Sequence, residues 1–314
     1  MTLTIGVDIG GTKVAGGVVD ESGRVLVSDK RETPAQDPKA TEDTIAGAVN
    51  HLAGSYPGIT AAGIGAAGFI DQQRSTVLFA PNLAWREEPI KAELEKRVGL
   101  RIVIENDANA AAWAETRFGA GRGHDQVVCV TVGTGIGGGI VLDRQLYRGR
   151  WGVAGEFGHM RVVPGGLRCG CGNKGCWEQY ASGNALVREG RELAESGSPL
   201  ADALLDLAGG DVSAITGPLI TRAAKDGDAT SIELLEDAGR WLGVGLASLA
   251  AILDPGCFVI GGGVSDAGDL LLGPATDSFH RSLVGRGYRP EAEIKIAELG
   301  PDAGLVGAAD LARQ

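Results

Sequence analysis

Three of the five cysteines, Cys169, Cys171 and Cys176, fall within eight residues, and His159 stands ten residues before the first of them. One imidazole and three thiolates are the donor set of a tetrahedral zinc site. The glycines between them let a short loop fold back so that four donor atoms point inward. Competing readings are free thiols or a disulfide; Cys-x-Cys makes a poor disulfide, and the absence of a signal peptide points to a reducing compartment. With all four positions filled by protein the site is closed and structural, with no water to activate. Chemistry is therefore expected elsewhere. Two carboxylates, Glu156 and Glu178, flank the loop and would be fixed in space by it.

Asp8, Gly10, Gly11, Thr12 and Lys13 form a second constellation, on and just after an opening strand. Backbone N–H groups in such a turn can cradle phosphate, Asp8 could hold Mg²⁺ through water, and Lys13 adds a compact positive charge. An ordinary exposed lysine is the plain alternative for Lys13. Asp107 follows a strand and begins a helix, which suits a capping residue and a general base for phosphoryl transfer equally well. Glu156, His159 and Glu178, with Asn82 and Asn106, are the mixture of acceptors and donors that vicinal sugar hydroxyls require.

Period and turn chemistry supply the elements that must position these groups. Strands are expected at 3–8, 14–20 and 24–28, an antiparallel opening joined by tight turns, and again at 59–65 and 101–105. Helices are expected at 40–52, 90–98 and 110–116, the last running on from Asn106-Asp107. From Gln126 the pattern repeats: laid without gaps, Asp8 meets Thr131, Gly10 meets Gly133, Gly16 meets Gly139 and Asp20 meets Asp143. Strands at 127–132 and 136–142 therefore enclose Gly133-Thr134-Gly135 as a second Gly-rich hairpin. Helices follow at 184–195, 200–208, 218–225 and 232–253, then strands at 257–260 and 293–297 and a closing helix at 303–313. Gly133-Thr-Gly-Ile-Gly-Gly138 satisfies G-x-G-x-x-G, but a strand rather than a helix comes next, so the dinucleotide reading is declined. No Walker A sequence is present. Two similar halves suggest two domains with nucleotide phosphates held between their hairpins.

The chain has 314 residues, 44% hydrophobic and 22% charged, which is a globular composition. A net charge of −11 argues against a broad nucleic-acid or anionic-membrane surface. The longest apolar segment, 241–253, is too short to span a bilayer. A cytoplasmic protein is expected, with neither nucleic acid nor membrane as partner.

Five motifs carry a resemblance to a known family: Asp8-Ile-Gly-Gly-Thr-Lys13, Glu105-Asn-Asp-Ala-Asn109, Val132-Gly-Thr-Gly-Ile-Gly-Gly-Gly139, Glu156-Phe-Gly-His159 and Cys169-Gly-Cys-Gly-Asn-Lys-Gly-Cys-Trp-Glu178. Together with Gly261, Gly262 and Gly263 they extend over essentially the whole chain, and the histidine–cysteine block is highly specific. The chain resembles the ROK proteins (repressors, open reading frames, sugar kinases), and among these the bacterial ATP-dependent glucokinases. The resemblance implies an α/β, two-domain actin-like (ribonuclease-H-like) ATPase fold. Residues 1–108 plus 301–314 would form the small domain and 109–300 the large one with the zinc loop, the active site lying in the cleft. It implies Asp107 as the base that deprotonates the sugar 6-hydroxyl, with Asn106, Glu156, His159 and Glu178 on the sugar. His159, Cys169, Cys171 and Cys176 would hold zinc. ATP phosphates would lie against Gly11, Thr12, Lys13, Thr134 and Gly135, with adenosine near Gly261, Gly262 and Gly263. The segment Asn82-Leu-Ala-Trp85 favours glucose by resemblance. Other hexoses (fructose, mannose, N-acetylglucosamine, N-acetylmannosamine) and polyphosphate as donor stay open, as does a sugar-responsive regulatory protein. Family repressors carry a helix-turn-helix before the first phosphate motif, for which a motif at Asp8 leaves no room. The family habit is a homodimer, in some members paired into a homotetramer.

Overall fold

Strands β1 (Thr4–Ile9), β2 (Lys13–Val19) and β3 (Val25–Glu32) precede helix α1 (Pro38–Ser55) in a computed structural model that describes residues 2–314. β4 (Ala61–Ala66), the short β5 (Phe69–Ile70), β6 (Val77–Phe79) and β7 (Arg86–Glu88), then α2 (Ile90–Val98), β8 (Arg101–Asn106) and α3 (Asp107–Phe118) follow. Next come β9 (Val127–Val132), β10 (Ile136–Leu142) and β11 (Gln145–Tyr147), and after the cysteine loop α4 (Glu178–Ala181), α5 (Gly183–Glu195), α6 (Asp202–Leu207), α7 (Gly217–Lys225) and α8 (Ala229–Leu253). β12 (Cys257–Gly261), α9 (Asp269–Ser282), β13 (Glu293–Ile296) and α10 (Ala303–Arg313) complete the chain.

The offset that aligns Asp8 with Thr131 carries β1 onto β9 and β2 onto β10 residue for residue. The likeness extends beyond the hairpins. One sheet runs β3-β2-β1-β4-β8 and the other β11-β10-β9-β12-β13. β1–β2 and β2–β3 pair antiparallel, whereas β1–β4, β4–β8 and β12–β13 pair parallel. Because β10 follows Gly133-Thr134-Gly135 as a strand, the G-x-G-x-x-G stretch is a hairpin and not a dinucleotide turn.

Contacts group the chain up to Cys129, Gly139–Gly155 and Ala297–Gln314 into one unit, and Val130–Gly138 with Glu156–Ile296 into another. The first unit thus takes in α3 and the segments either side of it, which the sequence-based division set apart after residue 108. In this unit the pleat sorts the sheet's side chains between two faces. Ile5, Val7, Ile9, Ile64, Ile102 and Ile104 pack with Ile45, Leu52 and Leu94 of α1 and α2. On the opposite face Gly6 and Gly63 meet α10. A Cβ on Gly6 would stand 1.9 Å from the Leu305 carbonyl oxygen, and one on Gly63 1.8 Å from that of Ala308. Only glycine lets helix backbone lie on strand backbone this closely. Gly307 repeats the contact on the other side of α10, where a Cβ would stand 1.8 Å from the carbonyl oxygen of Ala110 in α3. Residues 303–312 of α10 are buried throughout.

In the second unit β12 is buried along its length, and α8 packs closely on α9 at Gly239 and Gly243, where a Cβ would stand 2.5 Å from the Leu271 carbonyl oxygen and 2.2 Å from that of Ala275. Phe258 of β12 meets Phe279 of α9 edge-on at 5.9 Å between ring centroids. Among the described residues no helix is long and apolar enough to cross a membrane.

Two features go beyond the sequence-based elements. β5-β6-β7 form a small three-stranded sheet whose strands are too short to show a period. α9 carries Pro274 after Gly273, both helix breakers, so its pattern reads as a loop.

Gly63→Ala is expected to cost about 3 kcal/mol, the upper end of overpacking penalties, because backbone on both sides must move. Gly54→Ala in α1, where a Cβ meets nothing within 4 Å, serves as its control and is expected to be neutral or stabilising by up to about 1 kcal/mol. Denaturant unfolding of the two variants decides whether the close approach, rather than a generic glycine effect, sets the difference.

Candidate functional site

The cysteine loop is built by pairing backbone across it. Trp177 N–H donates to the Met160 carbonyl at 2.7 Å, Val162 N–H to Gly175 at 2.9 Å, and Cys169 N–H to Asn173 at 2.9 Å. Arg161 bridges to Cys176 and Arg168 to Lys174. This zipping brings the one-turn helix Phe157–His159 alongside the cysteines. The ligand atoms of His159, Cys169, Cys171 and Cys176 lie within 4.8 Å of one another, with His159 Nδ1 3.6 Å from Cys169 Sγ and Cys171 Sγ 3.6 Å from Cys176 Sγ. Zinc–sulfur bonds of about 2.3 Å in a tetrahedron separate sulfurs by about 3.8 Å, so the four residues fit that ion. Burial pushes the Cys169 and Cys176 thiols up, whereas the hydrogen bond from Asn173 N–H brings Cys171 down.

Trp177 ties this loop to α8. Its ring is fully buried and its Nε1 donates to the Trp241 carbonyl at 2.8 Å. Glu178, the next residue, starts α4, with Oε1 2.9 Å from Cys169 Sγ and 3.6 Å from His159 Nδ1. Its other oxygen lies against the second hairpin: a Cβ on Gly135 would stand 2.6 Å from Glu178 Oε2. Any larger residue at 135 displaces the carboxylate. The structure thus gathers His159, Glu178, Thr134 and Gly135, while Glu156 lies exposed at the start of the Phe157–His159 turn.

Thr134 also opens on a cavity of about 670 Å³ in the same unit, lined with Gly263 by Asn184 of α5 and by Arg222 and Lys225 of α7. Gly261 and Gly262 support Gly263 without lining it. The cavity residues of α5 and α7 were missed in the sequence. Their only signals were the helix-start residues Ser182 and Thr216, whose side chains cap α5 and α7.

In the first unit Asp8 is the last residue but one of β1, on the α10 face, and a Cβ on Gly304 would sit 3.1 Å from its Cγ. Asp107 is the first residue of α3, capped by Asn106, whose Oδ1 accepts from Asn109 N–H at 3.0 Å. Asp8 and Asp107 flank Gly65, with Asp8 Oδ1 and Asp107 Cα each 3.8 Å from where its Cβ would be. Burial, and then the neighbouring Asp107, push the Asp8 carboxyl up to about 7 against the pull of Lys13. Burial also raises Asp107, opposed by the N–H groups of Ala108 and of Asp107 itself. A carboxylate raised toward neutrality at a helix start is a competent proton acceptor. Gly10 closes the hairpin by donating to the Lys13 carbonyl at 2.9 Å, and Thr12 and Lys13 are exposed. Gly11 lies against Asn82, whose Cβ is 3.2 Å from a Cβ placed on the glycine.

Known proteins resemble this arrangement over its whole length. The family model described as ROK family matches residues 4–314. The glucokinase of Streptomyces coelicolor is 54% identical, with all of this chain and 98% of that one aligned. Among solved structures, a ROK family glucokinase from Streptomyces griseus in complex with glucose and AMPPNP superposes with TM-score 0.90 at 56% identity, covering 99% of both chains. A ROK hexokinase from Thermus thermophilus gives TM-score 0.83 at 35% identity, covering 99% of this chain and 98% of that one.

The raised Asp8 carboxyl carries a stability signature. The folded protein keeps this proton to about pH 7, whereas an unfolded aspartate releases it near 3.8, so stability falls as pH rises through that window and is level above it. At about pH 8 Asp8→Asn is expected to be more stable than the parent by about 1–3 kcal/mol, the gap closing toward pH 4. Urea unfolding across that range measures it; a gap independent of pH would show that ionised Asp8 is not strained.

Proposed function

The chain belongs to the ROK family, and on that premise we propose that it is an ATP-dependent glucokinase, which converts glucose and ATP to glucose 6-phosphate and ADP. The observation that carries the reading is Asp107: a carboxylate raised by burial, at the first turn of α3, beside Asp8 and a Gly-rich hairpin. Glucose as acceptor follows the sugar bound in the Streptomyces griseus relative. A nucleotide rather than polyphosphate as donor is favoured by the cavity beyond Thr134, which has room for a nucleoside.

Asn82, Asn106, Glu156, His159 and Glu178 bind the sugar hydroxyls and present O6 to Asp107. Asp107 takes the O6 proton as O6 bonds to the γ-phosphorus and the bond to the β-phosphate oxygen breaks, leaving ADP. Lys13 and the backbone N–H groups of Gly11, Thr12, Thr134 and Gly135 stabilise the charge on the transferring oxygens. Asp8 would hold Mg²⁺, which would supply further neutralisation of phosphate charge. The adenosine lies near Gly261, Gly262 and Gly263, of which Gly263 lines the cavity. Zinc would be held by His159, Cys169, Cys171 and Cys176 as a structural ion and would supply rigidity alone. With Nδ1 turned to Cys169 Sγ at 3.6 Å as the nitrogen that would hold zinc, the other ring nitrogen of His159 would be left to meet the sugar. A cytoplasmic homodimer or homotetramer completes the reading.

Asp107→Asn is expected to keep glucose affinity and lose about 10²–10⁴-fold in kcat. ADP release with glucose, fructose, mannose and the two N-acetyl sugars tests base and acceptor together. Normal turnover in the variant removes Asp107 as base, and preference for another sugar changes the acceptor. Elemental analysis is expected to find about one zinc per chain, and stripping it with a chelator to weaken glucose binding by about 10- to 100-fold until zinc is restored. Unchanged titration calorimetry on stripped protein refutes the structural role.

A further inference from the structure

Between β8 and α3 one carboxylate is almost wholly shut away. Glu105 is 1% exposed, and each of its oxygens has two neighbours. Oε1 accepts from the Asn106 N–H at 2.9 Å and from Asn109 Nδ2 at 3.1 Å. Oε2 lies 3.0 Å from Arg74 Nε and 2.8 Å from Arg148 Nε. Arg148 donates onward to the carbonyls of Asp71 at 2.9 Å and Gln72 at 3.0 Å. Arg74 reaches the cluster from a left-handed backbone at φ 55°, a conformation a non-glycine residue adopts only when its surroundings impose it. Three segments therefore converge on one buried charge: the first turn of α3, the turn between β5 and β6, and the stretch after β11.

A buried ion cluster is poor value as a stabiliser, since apolar residues of similar volume serve as well. Its distinctive effect is geometric. Asn106 is held from three sides, through its N–H to Glu105, its Oδ1 from Asn109 N–H and its Nδ2 to the Gly68 carbonyl at 3.1 Å. One amide hydrogen and one lone pair are left for a ligand, in a fixed direction. Asp107 is the next residue. We infer that Glu105 is a positioning residue for phosphoryl transfer: with Arg74 and Arg148 it locks the first turn of α3, and so sets where Asn106 and Asp107 meet the acceptor hydroxyl. The inference rests on the glucokinase reading above.

Glu105→Gln keeps both acceptor contacts of Oε1 and discards the charge that holds the arginines. It is expected to lower kcat by about 10- to 100-fold, the loss typical of reacting groups misplaced by about 1 Å, with KM for ATP changed less than about twofold. Glu105→Gln combined with Arg148→Met removes the buried carboxylate together with the more buried of its two arginines, leaves the part-exposed Arg74 to solvent, and serves, with thermal unfolding as its check, should the single variant be too unstable to assay. Reduced kcat with parental KM for ATP in a stably folded double variant supports the inference. Parental kcat in that variant overturns it while the glucokinase reading stands. Absence of glucose phosphorylation by the parent protein itself overturns both.

Discussion

Backbone lying on backbone is the constraint from which the first unit's chemistry follows. α10 rests on β1 and β4 at Gly6 and Gly63 and is met from its other side by α3 at Gly307. These contacts leave no room for side chains, so the helix positions are set by main-chain atoms, which cannot change rotamer. Asp8 projects to the same face of β1 as Gly6, two residues along, and Asp107 heads the helix that α10 supports. The two carboxylates are neighbours because three glycines are empty.

That proximity has an electrostatic cost at Asp8, which burial and then Asp107 push upward, while burial raises Asp107 itself. The fold sets fixed cations against buried carboxylates elsewhere, as at Glu105, but opposes Asp8 only with the flexible, exposed Lys13. A carboxylate left short of positive charge is prepared for an incoming cation or proton. In the second unit the polar groups are held differently. There a zipped loop and one buried tryptophan hold His159 and Glu178, and Gly135 limits where the Glu178 carboxylate can sit.

What could be read in advance depended on range. The hairpins were legible because strand period and glycine turns are local, and because the second copy repeats the first without a gap. The donor cluster was legible because cysteines have few other uses at that density. Asp107 could be placed on a helix start, but its nearness to Asp8 arises through β4, which lies between β1 and β8 in the sheet yet is distant from both residues in sequence. Glu105 reads as an ordinary strand-end residue until Arg74 and Arg148 arrive from separate segments. The cavity residues Arg222 and Lys225 lie on a helix with an ordinary amphipathic pattern, and nothing local distinguishes them from surface charge. α9 was hidden by Gly273-Pro274, whose helix-breaking tendency is overridden by packing on α8.

The seat of α10 also orders events on the ribosome. The face of β1 and β4 that carries Gly6 and Gly63 belongs to the earliest part of the chain, and the helix that covers it is made more than two hundred residues later. Synthesis proceeds at roughly 5–20 residues per second, so this sheet waits on the order of ten seconds or more with one side open. Surface left uncovered in a partly folded chain invites non-native association. A nascent chain of this protein therefore has a vulnerable interval whose length is set by translation speed, and whatever shields that face during it, chaperone or transient self-association, governs how much active protein emerges.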